Sequence, residues 1–78
     1  MTPPPELLDV VELVDDTFAP TRKRGERGTV VEVLAPGWFI VEFRLTKDDD
    51  LGLHDLPASA LRVVWRIADH PRKAKSSA

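Results

Sequence analysis

The sequence contains no cysteine, no tyrosine and only two histidines among its 78 residues. Without cysteine the chain can form no disulfide, no thiolate nucleophile and no cysteine-based zinc site. No apolar run approaches the ~20 residues that cross a bilayer, and the first residues lack the basic start and apolar stretch of a secretion signal. We therefore expect a cytoplasmic protein that makes no membrane contact.

The composition indicates one small soluble domain. Hydrophobic residues make up 42% of the chain, too many for a wholly disordered protein, and charged residues make up 31%, as in ordinary globular proteins. We expect an extended proline-rich lead-in over residues 1–6, a single domain over 7–66 and a flexible basic tail over 67–78. The short chain leaves no room for a second core.

Short β-branched and aromatic runs, separated by glycine, proline and charged residues, predict an all-β fold. The predicted strands cover residues 7–14, 29–34, 38–43, 51–56 and 61–65. Pro36-Gly37 is typical of a type II turn, so the second and third strands form a hairpin. Residues 57–60 are predicted as a short helical turn, because proline is tolerated at its first position. Together these elements predict a small closed five-stranded barrel.

The alternation of side chains along a strand predicts which face of the hairpin is buried. If Glu42 faces water, Trp38 and Ile40 lie on the same outer side. Phe39, Val41 and Phe43 then point inward. If Glu32 also faces water, Val31 and Val33 point inward while Val30 and Leu34 lie outside.

The segment Arg24-Gly25-Glu26-Arg27-Gly28-Thr29-Val30-Val31-Glu32-Val33 resembles the Gly-x-x-Gly-x-Val-x-x-Val opening of KOW-type SH3-like barrels. With Leu8-Asp9-Val10-Val11, Val41-Glu42-Phe43 and Leu61-Arg62-Val63, it resembles an uncharacterised family of small stand-alone bacterial proteins, a domain-of-unknown-function family. The resemblance covers roughly residues 7–64 and implies a five-stranded SH3-like barrel with an accessory or antitoxin-like role. Its motifs are glycines and strand valines, which specify a fold and no chemistry.

Candidate catalytic groups are scarce. His54 and Asp55 are neighbours on one strand and point to opposite faces, so they form no dyad, and Ser59 has no base beside it. The run Asp48-Asp49-Asp50 lacks the alternate spacing and the terminal glutamate of a calcium loop. It reads as a solvated hairpin tip. We therefore expect no enzyme, no metal site and no cofactor.

The remaining candidate is a contact surface for another protein. Its predicted members are a basic loop and the outward apolar residues of the hairpin: Arg22, Lys23, Arg24, Arg27, Val30, Trp38 and Ile40. Apolar anchors would supply affinity and loop charges would orient the encounter. This makes the chain a non-catalytic protein–protein interaction module.

Two alternatives stay open. The same basic loop could bind a nucleic-acid backbone, as in a KOW-like barrel, although residues 1–69 carry eight basic and thirteen acidic side chains. Trp65 could also pack across a two-fold axis in a weak homodimer. The aromatic residues are too few to assemble a proline-peptide groove or a methyl-lysine cage convincingly.

Overall fold

Five short strands account for most of the regular structure in the computed structural model, which describes residues 3–70. They are β1 (Val10–Leu13), β2 (Arg27–Val33), β3 (Trp38–Glu42), β4 (Leu53–Pro57) and β5 (Leu61–Trp65). A 3-10 helix, Ala58–Ala60, separates β4 from β5, and a second one, Ile67–Asp69, follows β5. The prediction of a mostly β domain with five strands and one short helical turn before the last strand is confirmed.

The strands form one antiparallel sheet in the order β4-β3-β2-β1-β5. β4 and β5 are its two edges, yet only Ala58–Ala60 separates them in sequence. The sheet must therefore bend until its edges approach each other at that corner.

The prediction of a closed barrel is wrong, because within residues 3–70 no ladder joins β4 to β5. Pro57 ends β4 without an N–H group to donate, and residues 3–5, all proline, line a cleft beside Leu61 and Val63 of β5.

The inner side of the bent sheet holds one apolar core. Its buried members come from every strand, from the first loop, from the residue that follows β3 and from the first 3-10 helix: Val11, Leu13, Ala19, Val30, Phe39, Val41, Phe43, Leu56, Ala60 and Leu61. The predicted inward placement of Phe39, Val41 and Phe43 is confirmed.

The predicted outward placement of Val30 is wrong because β2 contains a bulge. Val30 pairs with Val41, but Glu32 pairs with Ile40, so Val31 is an extra residue on β2. The bulge changes the phase of the alternation. Val30 is fully buried, the reverse of the prediction, whereas Leu34 is 41% exposed, as predicted. Val33 lies opposite Phe39 and so on the predicted inner side, but it is 46% exposed at the end of the strand.

The chain enters the sheet later than expected, at Val10 and not at Leu7. Leu8 has a φ of 73°, which no strand residue adopts. The carboxylate of Asp9, 1% exposed, accepts hydrogen bonds from the main-chain N–H groups of Glu6 and Ile67, each at 2.9 Å. Arg66 donates a third bond to it at 3.2 Å. Asp9 thus joins the N-terminal arm to the segment that follows β5.

The first residues of the predicted tail, Ile67–Asp69, form the second 3-10 helix, and Trp65 stacks on His70 with 4.6 Å between ring centroids. Residues 71–78 of that tail, and residues 1–2 of the lead-in, lie outside the described residues. Within residues 3–70, no helix has both the length and the apolar character needed to cross a membrane.

We predict that Gly28→Ala destabilises the fold by about 1–3 kcal/mol, the usual cost of overpacking a core. Gly28 is paired with Val11, and a Cβ atom there would lie 2.7 Å from the carbonyl oxygen of Glu42 and 2.7 Å from Cγ1 of Val41. Urea denaturation of both proteins measures the change in the free energy of unfolding. The exposed substitution Ser59→Ala is the control and should change it by less than about 0.5 kcal/mol.

Candidate functional site

The predicted basic loop does not present its four charges as a group, because Arg22 is only 2% exposed. Its guanidinium donates hydrogen bonds to Oδ2 of Asp49 (2.9 Å) and to Oε1 of Glu26 (2.8 Å), and another to the main-chain oxygen of Arg44. It also lies over the ring of Phe43, 5.2 Å from the centroid. Arg22 is therefore not exposed with the other three basic residues, since its charge is used inside the protein.

The other members of the loop are exposed: Lys23, Arg24 and Arg27. Arg27 lies opposite Glu12 in the β1–β2 ladder. A hydrogen bond from Arg62, together with the charges of Arg62 and Arg27, lowers the pKa of Glu12. Hydrogen bonds from Thr17, together with the charge of Arg24, lower the pKa of Asp15. Carboxylates of the same protein therefore balance much of the charge of this loop.

The triple-aspartate run is not uniformly solvated, because Asp49 turns toward the protein. Its side chain is 8% exposed and accepts hydrogen bonds from Arg22, from His54 Nε2 and from the N–H of Gly52 (2.8 Å). The bond from His54, with those from Gly52 and Arg22, holds the pKa of Asp49 well below its usual range. Asp49 therefore ties the loop before β2 to the loop before β4.

This ion cluster was missed by sequence reasoning. Arg22 and Asp49 are 27 residues apart, and no pattern in the chain pairs them. The only local signal was the four-residue spacing of Arg22 and Glu26. The cluster makes no metal site: in the described part of the chain, no group of three or more His, Cys, Asp or Glu side chains could hold an ion.

An exposed aromatic pair lies at the end of the sheet where β3 begins. The rings of Phe18 and Trp38 meet edge to face, with 5.6 Å between their centroids. Phe18 is 48% exposed and Trp38 is 38% exposed, so the pair is available to solvent. The sequence predicted an outward Trp38, which is confirmed, but treated Phe18 only as an anchor of the first loop.

The pair continues into the outer face of β3 and β4. Trp38 is opposite Pro57 on β4, and Leu34 donates its N–H to the Trp38 carbonyl at 3.0 Å. Ile40, the next outward residue, is half-buried and lies between Glu32 and Asp55. Of the predicted apolar contacts, the structure places Trp38 and Ile40 on this face but not Val30.

The structure shows two shallow clefts elsewhere, of about 220 and 290 Å³. The first lies between the N-terminal prolines and β5, and the second is lined by Trp65, Arg66 and His70. Neither contains the Phe18–Trp38 pair. The outer face of β3 and β4 carries aromatic and aliphatic side chains that are available for contact with another surface.

We predict that Asp49→Asn makes stability less sensitive to acid. Folding holds the pKa of Asp49 below its ordinary value of 3.8, so the ionised carboxylate stabilises the folded state above about pH 4. That contribution is lost as the pH falls. Urea denaturation at about pH 6 and pH 3 should therefore show a larger loss for the unsubstituted chain than for Asp49→Asn. The exposed neighbour substitution Asp48→Asn should behave like the unsubstituted chain; equal losses in all three proteins would contradict the assignment.

No curated protein and no solved structure matches the chain. A family model does match, over residues 7–63, and its description is a domain of unknown function, DUF4926. This span includes all five strands except the last two residues of β5, together with both loops joined by Arg22 and Asp49. The chain therefore belongs to the DUF4926 family of domains of unknown function.

Proposed function

We propose that this protein is a non-catalytic protein-binding module that contacts its partner through the outer face of β3 and β4. The observation that carries the proposal is the exposed Phe18–Trp38 pair. Tryptophan and other large aromatic side chains dominate the energetics of protein interfaces when a partner buries them. A pair of them left half-exposed beside Ile40 and Pro57 is a ready anchor for such a contact.

The finer classification of the fold is part of the same proposal. Three features support an SH3-like, KOW-like arrangement in which the sheet bends without closing. They are the strand order β4-β3-β2-β1-β5, the long loop between β1 and β2, and the 3-10 helix before β5. The family resemblance supports a bacterial, cytoplasmic protein with an accessory or antitoxin-like role.

The surroundings of His54 support a non-catalytic role. Its Nε2 atom is bonded to Asp49, and its ring packs edge to face on Phe43. In the part of the chain that the structure describes, His54 forms no hydrogen bond with a serine or threonine hydroxyl. A histidine–carboxylate pair without a nucleophile beside it stabilises loops and lacks the third group that acyl transfer needs.

Binding of nucleic acid is the second candidate, and fewer observations support it. Lys23, Arg24 and Arg27 are exposed, but the fourth basic residue is buried and the carboxylates of Glu12 and Asp15 lie beside the loop. Affinity for phosphate backbones grows with the number of phosphates that cationic groups neutralise. Three partly balanced charges would neutralise few phosphates, so they would contribute little affinity for nucleic acid.

We predict that Trp38→Ala lowers binding of a partner protein about tenfold or more, as expected for the loss of a central aromatic anchor. The unsubstituted protein, Trp38→Ala and Trp65→Ala are immobilised, exposed to nuclease-treated lysate of the source cells, and compared by quantitative mass spectrometry. Trp65 is the matched control because it is 37% exposed on β5, away from the candidate surface.

Capture that is lost with Trp38→Ala and kept with Trp65→Ala supports the proposal. Equal capture by all three proteins contradicts it. A labelled oligonucleotide gives a second test. If it binds at low salt, binds more weakly as salt rises and no longer binds Arg24→Glu, the surface is assigned to nucleic acid and the proposal is contradicted. Circular dichroism spectra of each variant establish that the fold is retained.

A further inference from the structure

The outer face of β3 and β4 has apolar side chains in its middle and carboxylates around them. Along β3 the outward residues are Trp38, Ile40 and Glu42, and along β4 they are Leu53, Asp55 and Pro57. The neighbouring strand adds Glu32 opposite Ile40. No outward side chain of β3 or β4 is basic.

The three carboxylates of this face have no cationic partner in the part of the chain that the structure describes. Glu32, Glu42 and Asp55 are exposed, and none of them forms a salt bridge with a residue of 3–70. The other half of the sheet differs. There Glu12 lies between Arg27 on β2 and Arg62 on β5, and Arg62 is bonded to it.

The sheet is therefore electrostatically asymmetric. In its β1–β5 half, Glu12 lies between two arginines, whereas its β3–β4 half has three carboxylates around Trp38 and Ile40 that pair with no cation of residues 3–70. Charges at the rim of an interface select partners, because like charges brought together cost free energy and opposite charges speed the encounter. Acidic surfaces are repelled from this face, and cationic ones are drawn to it.

We propose that the partner presents a lysine- or arginine-rich segment with an apolar residue at its centre, an inference that rests on the proposed function. The apolar residue packs on the Phe18–Trp38 pair and Pro57, and the flanking cations pair with Glu32 and Asp55. The occupant is a segment of a separate protein. The sequence analysis expected the positive charges of this domain's basic loop to orient the encounter. In this proposal, the positive charges belong to the partner and the negative charges to this domain.

Exposed ion pairs add little to affinity because water screens them, so the apolar anchor supplies most of the affinity and the carboxylates supply the selectivity. This division of roles separates the two proposals experimentally. Loss of Trp38 removes binding of any partner at this face, whereas reversal of Glu32 and Asp55 removes the preference for cationic ones.

The experiment selects a displayed library of random decamer peptides on the full chain and discards peptides that also bind Trp38→Ala. We expect enriched peptides to carry lysine or arginine on both sides of an apolar residue. Synthetic copies should then bind the double variant Glu32→Lys/Asp55→Lys about tenfold or more weakly than the unsubstituted chain, and should weaken as salt rises.

Glu6→Lys/Asp69→Lys is the matched control, because it makes the same change in net charge at exposed positions outside the β3–β4 face. It should change affinity less than about threefold, the effect of distant charges at ordinary salt. Circular dichroism and urea denaturation establish that both double variants fold.

The remaining outcomes are separable. Neutral or acidic peptides that need Trp38 overturn the cationic partner and leave the binding surface standing. The same holds for basic peptides that are indifferent to Glu32→Lys/Asp55→Lys. No Trp38-dependent enrichment at all overturns both proposals. The last test uses a synthetic peptide of residues 70–78, which carries Arg72, Lys73 and Lys75. If this peptide binds as tightly as the selected peptides, the occupant is this chain's own C-terminal segment. The assignment to a separate protein is then wrong.

Discussion

The candidate surface depends on the ion pair between Arg22 and Asp49, because this contact joins the two long loops of a very small domain. The main-chain N–H of Arg22 bonds the carbonyl of Ala19, a fully buried residue, at 2.9 Å. Phe18 directly precedes Ala19, so the bond also restrains the backbone from which the Phe18 ring extends. A charged side chain in the interior thereby restrains the segment that carries one of the two aromatic rings at the surface. Removing one partner of such a pair leaves the buried charge of the other uncompensated. Buried ion pairs therefore hold the geometry around them even when their net contribution to the free energy of unfolding is small.

Most of the strand content was predictable, because runs such as Thr29 to Leu34 and Trp38 to Phe43 combine high β-propensity with a turn of known geometry. The sequence did not predict that, within residues 3–70, the sheet would keep two unpaired edge strands, β4 and β5. Closure depends on whether β4 and β5 exchange hydrogen bonds, and that depends on how Pro57 and the N-terminal prolines occupy the corner of the sheet. The number of predicted strands therefore does not determine whether the sheet closes into a barrel.

Of the candidate site, the part that follows from local alternation was predictable and the part that follows from distant contacts was not. Trp38 and Ile40 lie outside because Phe39 and Val41 fill the core. By contrast, Arg22 resembled its three basic neighbours in sequence, and contacts with distant residues distinguish it, among them Asp49, which is 27 residues away. Charged residues close in sequence therefore cannot be assigned to one surface until their partners are known.

The bulge at Val31 connects the wrong prediction for Val30 with the charge of the binding surface. In a regular strand Val30 and Glu32 have the same parity and share a face, so an outward Glu32 requires an outward Val30. The extra residue breaks this rule, and Val30 enters the core opposite Val41 while Glu32 stays outside opposite Ile40. Without the bulge, Glu32 would fall opposite Phe39 and would face the inner side of the sheet, toward the apolar core. One inserted residue therefore completes the core on one side of the sheet and gives the opposite side one of its three carboxylates.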